Sequence, residues 1–395
     1  MGKGSIDDYK KLAARIEALE KQRNLSGNRV FYLALPPEAF SETISGLGEA
    51  GLNKSKGWTR IVVEKPFGQN LESVHELNKK VRGYFDESQI YRIDHFLGKE
   101  TVQNLLVFRF ANTIFEKLWN RENIESVSIV VAESEGIEGR ANYYEQTGAL
   151  RDMVVNHLTQ LLALVAMEIP ATFGAEDIRD EKVKILRQIT PIQHENIVSG
   201  QYSKGNIGDK SVIGYTEELG IPQNSQTETF VALKLEIANW RWKGVPFYLC
   251  TGKRMPRRLT QIIINFHCAP INIFKPFDPS CIIEPNALTI TLQPDEGFHL
   301  QFHVKAIGQP IKLTTQSLHF HYSNTFGTIP DAYETLLLDV ITGDQTLFVR
   351  SDEAEGAWRN YNSLLNMKIQ IHPYPAGTWS PPEANRLLPW KNKVS

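Results

Sequence analysis

The stretch Arg29-Val30-Phe31-Tyr32-Leu33-Ala34-Leu35-Pro36-Pro37, read with Arg60-Ile61-Val62-Val63-Glu64-Lys65-Pro66 further on, decides the first part of the fold. Each is a short, nearly continuous apolar run, the pattern of a parallel strand buried on both faces. Pro36 and Pro37 end the first run and suit the first turn of a helix, where a missing N–H costs nothing. The sequence predicts that helix over 38–49 and another over 71–85. A helix is also expected ahead of the first strand, because Ile6, Tyr9, Leu12, Ile16 and Leu19 fall on one stripe. Strands and helices in alternation signal α/β architecture. Further along the texture changes. Residues 124–131 are rich in β-branched side chains, and 149–167 reads as one strong helix. Strand-like runs follow at 229–237, 247–250, 260–267, 287–292 and 298–304. Helix signals return only at 332–341 and 352–366, and 373–395 reads as irregular. Successive strands with few helices between them predict a large, mostly antiparallel sheet. The expected fold is α/β plus α+β: a partial Rossmann-like parallel sheet over 1–120, then a large antiparallel-sheet domain with helices on one face over 121–395.

At 395 residues the chain is long for a single domain. Its 43 Lys and Arg against 45 Asp and Glu leave a formal net charge of −2. Such a chain does not hold nucleic acid or an anionic membrane by bulk charge, so any anion must be held by a few local cations. Residues 2–23 are polar and charged, unlike a secretory signal. The longest apolar candidate, Leu158–Met167, is interrupted by Thr159 and Gln160 and falls short of the ~18 residues a membrane span needs. The three cysteines, Cys250, Cys268 and Cys281, form no C-x-x-C pair, which argues against a disulfide framework or a structural zinc site. A soluble, cytoplasmic setting is expected.

Gly46-x-Gly48-x-x-Gly51 has the spacing of a dinucleotide-binding loop. Such a loop must follow a strand directly and open a helix. Here helix-compatible sequence separates the strand from the glycines, so they are expected at a helix C-terminus, as cap residues. Four other clusters carry chemistry. Glu64-Lys65-Pro66-Phe67-Gly68 closes the second strand, at the end where open α/β sheets bind ligands. Lys65 there either reaches a sugar hydroxyl or phosphate or is a solvated strand-end cation. Arg92 to Glu100 brings Asp94, His95 and Lys99 close together; a helical turn would put His95 and Lys99 on one face as a phosphate clamp. Arg151-Asp152-Met153-Val154-Val155-Asn156-His157-Leu158 sets His157 in an otherwise apolar helix. It is either a satisfied core histidine or a general base whose tautomer a carboxylate fixes. Thr251 to Arg258 carries Lys253, Arg254, Arg257 and Arg258, either a solvated loop or a further anion site. His299 with His303, and His319 with His321, share strand faces. No carboxylate or cysteine accompanies them at a useful spacing, so no metal site is expected.

Together these motifs resemble the glucose-6-phosphate dehydrogenase family. The resemblance rests on RIDHFLGKETVQNLLVFRFAN (92–112), EKPFG (64–68), RDMVVNHL (151–158), TGK (251–253) and PDAYETLLLDVITGDQTLFVRSDE (330–353), in the family's order. It implies oxidation of glucose 6-phosphate to 6-phosphogluconolactone with hydride transfer to NADP, a step of pentose phosphate metabolism. It implies His157 as the base at the anomeric hydroxyl and Asp94 as its carboxylate partner. His95 and Lys99 are implied as the sugar-phosphate clamp, and Lys65 as shared between substrate and nicotinamide. Glu133, Asp152, Lys253 and Arg258 are implied as further substrate contacts. Pro66 and Tyr32 are implied on the coenzyme side, and a homodimer or homotetramer as the assembly.

Two departures from the family pattern qualify this. Phe96 stands where the signature commonly has Tyr, and losing a hydrogen bond to a charged group costs about 1.5–3 kcal/mol. The family also begins with a strand, a glycine-rich turn and a helix that hold the coenzyme phosphates, and this sequence starts downstream of them. At about 30 residues per strand–helix–strand unit, roughly 90 residues or more are expected ahead of it, with reduced coenzyme affinity in their absence. That departure favours an alternative, a non-catalytic sugar-phosphate-binding remnant. A different nicotinamide oxidoreductase with an E-K-P strand end is opposed by the 92–100 block.

Overall fold

The computed structural model describes residues 4–275, 282–308, 311–327 and 330–391. Cys281 and the last four residues of the expected irregular tail lie outside the described residues. The chain divides into two compact units. The first is Met1–Gly98, Glu168–Leu186 and Pro330–Asn362; the second is Lys99–Met167, Arg187–Ile329 and Ser363–Ser395. In chain order the strands begin with β1 (Arg29–Leu33), β2 (Thr59–Val63), β3 (Ile90–Ile93), β4 (Ile124–Ala132) and β5 (Ile197–Ser203). A small hairpin, β6 (Gly205–Ile207) and β7 (Lys210–Val212), precedes β8 (Phe230–Glu236), β9 (Pro246–Gly252) and β10 (Leu259–Phe266). The rest are β11 (Ala287–Gln293), β12 (Gly297–Lys305), β13 (Leu313–His321), β14 (Phe348–Val349) and β15 (Ile371–Pro375).

The first unit holds a sheet of order β1-β2-β3-β14, parallel except for β14. The buried run Ile61, Val62, Val63 makes β2 its centre. Helix α1 (Ile6–Arg23) starts at Ser5, whose side chain and that of Asp8 cap each other's backbone N–H. Helix α2 (Pro37–Glu49) starts with Pro36 as its cap and Pro37 inside its first turn. It ends with Leu52 N–H donating to Leu47 O at 2.9 Å and Gly51 N–H to Gly48 O at 3.0 Å. Gly51 has φ +73°, so this is a left-handed glycine cap rather than a phosphate turn. Gly46 and Gly48 serve packing: an added Cβ would come within 2.2 Å of the Tyr9 ring and 2.0 Å of the Tyr84 ring. Helix α3 (Leu71–Arg82) is shorter than expected and stops before Gly83.

Among the helices not expected from the sequence are α4 (Glu100–Phe110) and one over Ala175–Gln188. The second buries Ile178, Arg179, Lys182, Val183, Ile185 and Leu186. Lys182 Nζ lies 2.6 Å from Glu353 Oε2 with both side chains almost fully buried. Two cations inside the stripe hide its amphipathic pattern: Arg179 pairs with Glu176 and with the distant Gln345, and Lys182 with the distant Glu353.

The second unit holds a sheet of order β13-β12-β11-β10-β4-β9-β8-β5-β15. Among the described residues its neighbours are antiparallel except for the pairs β4–β9 and β5–β15. The expected α/β sheet and large, mostly antiparallel sheet are therefore both present. One core cluster joins Val130, Phe230, Ala232, Cys250 and Ile263 to Tyr374, Leu387 and Trp390. This corrects the reading of 373–395 as irregular. β15 pairs in parallel with β5 as an edge strand, where Pro373 and Pro375 withdraw no needed donor. The single helix expected over 149–167 is also corrected. Its path is α-helical over Ala141–Ala149, π-wound over Leu150–Leu158 and α-helical again over Thr159–Ala166. Among the described residues no helix is long and apolar enough to cross a membrane.

Asp339, on the helix Ala332–Thr342, has its pKa raised to about 6 from 3.8, first by burial and then by the charge of Asp344. The folded state thus binds this proton more tightly than the unfolded chain does. Its contribution is most favourable below the unfolded pKa and is lost as pH rises through the folded one. Asp339→Asn is expected to raise stability by a few tenths to about 1 kcal/mol at about pH 7.5, and by almost nothing at about pH 3.5. Urea denaturation at the two pH values measures this, and an equal effect at both contradicts it.

Candidate active site

In the first unit, β1 and β2 run parallel with Leu33 opposite Val63. They release Ala34-Leu35-Pro36 and Glu64-Lys65-Pro66 side by side, at the edge where open parallel sheets bind ligands. Tyr32, opposite Val62, donates its hydroxyl to Glu64. Tyr333 hydrogen-bonds to the same carboxylate, and burial followed by the Glu64 charge raises its pKa to about 12. Burial and the bond to Glu64 push the Tyr32 phenol up too. Both phenols therefore remain protonated donors at neutral pH. Lys65 is half-buried and Pro66 buried, with a cis peptide bond between them. Gly68 follows with φ +117°, and a Cβ there would lie 2.8 Å from the Val74 nitrogen. Only glycine lets this turn close onto α3. A lysine, a phenol and two strand-end backbones form a donor set that fits the nicotinamide end of a dinucleotide.

Asp94 is 2% exposed. Its Oδ1 accepts the Phe96 N–H at 3.0 Å and its carbonyl accepts the Leu97 N–H at 3.0 Å, so a tight turn aims the carboxylate. The His95 ring stacks on Tyr333, with centroids 6.3 Å apart and planes 9° apart. Phe96 is buried and lies 4.9 Å from the His95 ring.

In the second unit, four neighbouring strands meet at one edge of the sheet. Ala132 of β4 stands opposite Gly252 of β9 and Leu259 of β10, and Thr260 of β10 stands opposite Gln293 of β11. Glu133, Lys253, Arg258 and Gln293 therefore converge from distant parts of the sequence. Lys253 is 2% exposed; its Nζ lies 2.8 Å from Glu133 Oε2 and 5.1 Å from the centre of the Tyr144 ring. With the Gln293 amide oxygen turned inward, it accepts from Lys99 Nζ at 2.5 Å and from Arg258 Nη2 at 3.1 Å. Two cations meet at one neutral oxygen, and a phosphate oxygen in its place gains charge-assisted bonds roughly twice as strong. The four-cation loop is divided: Arg254 pairs with Glu218 at 3.3 Å and Arg257 lies over the Trp379 ring at 5.9 Å. Lys253 and Arg258 turn to the sheet edge. Lys99 itself is extended (φ −74°, ψ 135°) as the residue ahead of α4. The helical turn expected to carry both His95 and Lys99 is therefore absent. Its carbonyl instead accepts the Val102 and Gln103 N–H groups at the start of α4, and its side chain is placed by Gln293.

The π-wound segment Leu150–Leu158 carries Asp152 and His157, 7% and 1% exposed, and packs on β4, β8 and β9. An α-helix brings residues three and four apart onto one face; the wider i→i+5 ring of a π-helix does so for residues five apart, such as Asp152 and His157. Thr159 helps hold the winding, its hydroxyl donating to Val154 O at 2.6 Å. Tyr143 donates to Asp152 Oδ1 at 3.1 Å.

Residues 2–104 match the family model "Glucose-6-phosphate dehydrogenase, NAD binding domain", and residues 106–394 match "Glucose-6-phosphate dehydrogenase, C-terminal domain". The chain belongs to the glucose-6-phosphate dehydrogenase family. It is 47% identical over 393 residues to the glucose-6-phosphate 1-dehydrogenase of Chlamydia trachomatis serovar D, covering 97% of this chain and 90% of that protein. It is 44% identical to the enzyme of that name from Bacillus subtilis, covering 96% of this chain and 79% of that protein. A solved glucose-6-phosphate dehydrogenase in complex with its substrate glucose 6-phosphate superposes with a TM-score of 0.89 at 38% identity, covering 98% of this chain and 80% of the other.

For a chain of this family, sequence reading overlooked the groups that hold the named residues in place. Tyr333 and Glu64 tie the strand end of the first unit together, and Gln293 joins Lys99 to Arg258 in the second. Gly148 and Glu228 set the start of the π-wound segment. Glu228 Oε1 accepts the Leu150 N–H at 2.9 Å, and its carbonyl accepts the Ala149 N–H at 2.9 Å. Burial raises the pKa of this carboxyl. Gly148 has φ +58° and ψ 179°, a region open essentially to glycine alone, and a Cβ there would stand 2.3 Å from Glu228 Oε1. Gly148→Ala is expected to cost about 1–3 kcal/mol of stability and to lower kcat more than it raises KM. Thermal melts with steady-state kinetics measure this; an alanine variant with unchanged kcat contradicts it.

Proposed function

We propose that the chain oxidises glucose 6-phosphate to 6-phosphogluconolactone with NADP as acceptor, as a cytoplasmic oxidoreductase of pentose phosphate metabolism. The observation that carries this reading is the convergence of Lys99 and Arg258 on Gln293, beside the Lys253–Glu133 pair, at one edge of the second unit's sheet. Lys99, Arg258 and His95 hold the sugar phosphate. Lys253, Glu133 and Asp152 bind sugar hydroxyls and fix the ring. His157 takes the proton from the anomeric hydroxyl, and Asp94 holds its imidazole in the tautomer that can accept it. As that proton leaves, the carbon–oxygen double bond of the lactone forms and the C1 hydrogen departs with its electron pair. When bound, the coenzyme's nicotinamide ring supplies the acceptor for that hydride. Lys65 and Tyr32 orient the nicotinamide end, and Pro66 sets the backbone between the two ligands. The working form is a homodimer or homotetramer.

Coenzyme reduction by purified protein with glucose 6-phosphate, compared for NADP and NAD, tests the reading. Turnover is expected with NADP preferred. Lys99→Met is expected to raise KM for glucose 6-phosphate about tenfold to a hundredfold with a smaller fall in kcat, since it removes a charge-assisted bond made throughout the reaction. Saturable binding of glucose 6-phosphate by folded protein without any coenzyme reduction contradicts the reading and favours a non-catalytic sugar-phosphate binder.

A further inference from the structure

Lys253 is a cation inside the protein, 2% exposed, at the edge where the strands of the second unit gather the proposed sugar contacts. Its Nζ donates to Glu133 Oε2 at 2.8 Å and lies 5.1 Å from the centre of the Tyr144 ring. Burying an ammonium costs free energy unless its charge is offset. The carboxylate offsets part of that charge and takes one of three N–H groups. A second carboxylate would take another. The face of an aromatic ring is negative and attracts a cation at this range without accepting at a lone pair, so N–H groups remain for sugar hydroxyls.

Tyr144 belongs to the helix Ala141–Ala149 and is 1% exposed. Its neighbours fix the ring. Tyr215 packs edge-on against it with centroids 6.1 Å apart, and Tyr202 packs edge-on against Tyr215 at 5.6 Å. The Tyr215 hydroxyl donates to Glu145 Oε2 and the Tyr202 hydroxyl to Glu218 Oε1, each at 2.9 Å, so the row is anchored. The Tyr144 hydroxyl, by contrast, has no hydrogen-bond partner among the described residues. Burial, then the charges of Asp152 and Glu133, push this phenol well up, so it stays neutral and no phenolate pairs with the lysine. What Tyr144 offers Lys253 is its ring.

We propose that Tyr144 is a positioning residue for Lys253: the face of its ring holds the buried ammonium in place, and an aromatic ring at this position sets the affinity for glucose 6-phosphate. The inference rests on the reading that Lys253 contacts the sugar. It adds that the ring acts through its charge distribution and that the hydroxyl is dispensable.

The test compares wild type with Tyr144→Phe and with phenylalanines at the same position that carry one, two or three ring fluorines, introduced as non-natural amino acids. Fluorine drains negative charge from the ring face with little change in size, so packing is kept while the attraction for a cation fades. The dissociation constant for glucose 6-phosphate is measured calorimetrically, KM by coenzyme reduction, and the fold by circular dichroism. Tyr144→Phe is expected to bind within about twofold of wild type, because the ring face is retained. Affinity is expected to fall with each added fluorine, by about 3–30-fold across the series, with KM rising in step. Affinity that ignores the number of fluorines overturns the proposal and leaves the dehydrogenase reading standing. Tyr144→Phe as weak as the trifluoro variant also overturns it, by assigning the effect to the hydroxyl. Graded affinity without coenzyme reduction by the wild type supports the proposal and contradicts the dehydrogenase reading. A wild type that binds no glucose 6-phosphate contradicts both.

Discussion

Glu228 and Gly148 impose the constraint on which the placement of Asp152 and His157 in the second unit depends. One carboxylate and its own carbonyl take the first two N–H groups of the segment that carries Asp152 and His157. Gly148 is the residue that lets the backbone turn into that grip. A helix start needs acceptors for its N–H groups, and here a residue next to β8 provides them. The helix is thereby joined to the sheet at its first turn. Its π-winding then decides which side chains share a face, and the winding is held by Thr159 on Val154.

The two units supply chemistry by the same physical device, the ends of adjacent strands. In the first, parallel pairing of β1 and β2 sets Tyr32 and Glu64 next to Lys65 and Pro66. In the second, the register of β4, β9, β10 and β11 gathers Glu133, Lys253, Arg258 and Gln293. Strand ends suit this role because the sheet fixes the backbone while the side chains beyond the last ladder bond stay free to face a ligand. A chain with net charge −2 can therefore hold an anion without a basic surface, by gathering a few cations at one edge.

Much of this was legible in the sequence. The apolar runs at 29–35 and 60–64 marked β1 and β2, and the proline pair marked the start of α2. The glycine triplet was correctly placed at a helix end, because its distance from the preceding strand forbids a phosphate turn. What escaped was non-local. The helix Ala175–Gln188 was hidden by Arg179 and Lys182, which read as solvent-facing until Gln345 and Glu353 are brought to them. β15 was hidden by two prolines that only an edge position tolerates. The π-winding leaves no mark in a hydrophobic pattern, and the helical turn inferred over His95 and Lys99 is absent because the helix begins after Lys99. Lys99 nonetheless lies at a cation cluster, through Gln293, a residue that no motif singled out.

The measurement that bears most directly on the account is the effect of His157→Asn on turnover, with glucose 6-phosphate binding measured on the same protein. The account assigns His157 to proton removal and the phosphate to other residues. It predicts that kcat falls by about 10²–10⁴-fold while the dissociation constant for glucose 6-phosphate stays within a few-fold. A variant that keeps kcat and loses affinity would place His157 in substrate binding, and the π-wound segment would then not carry the base.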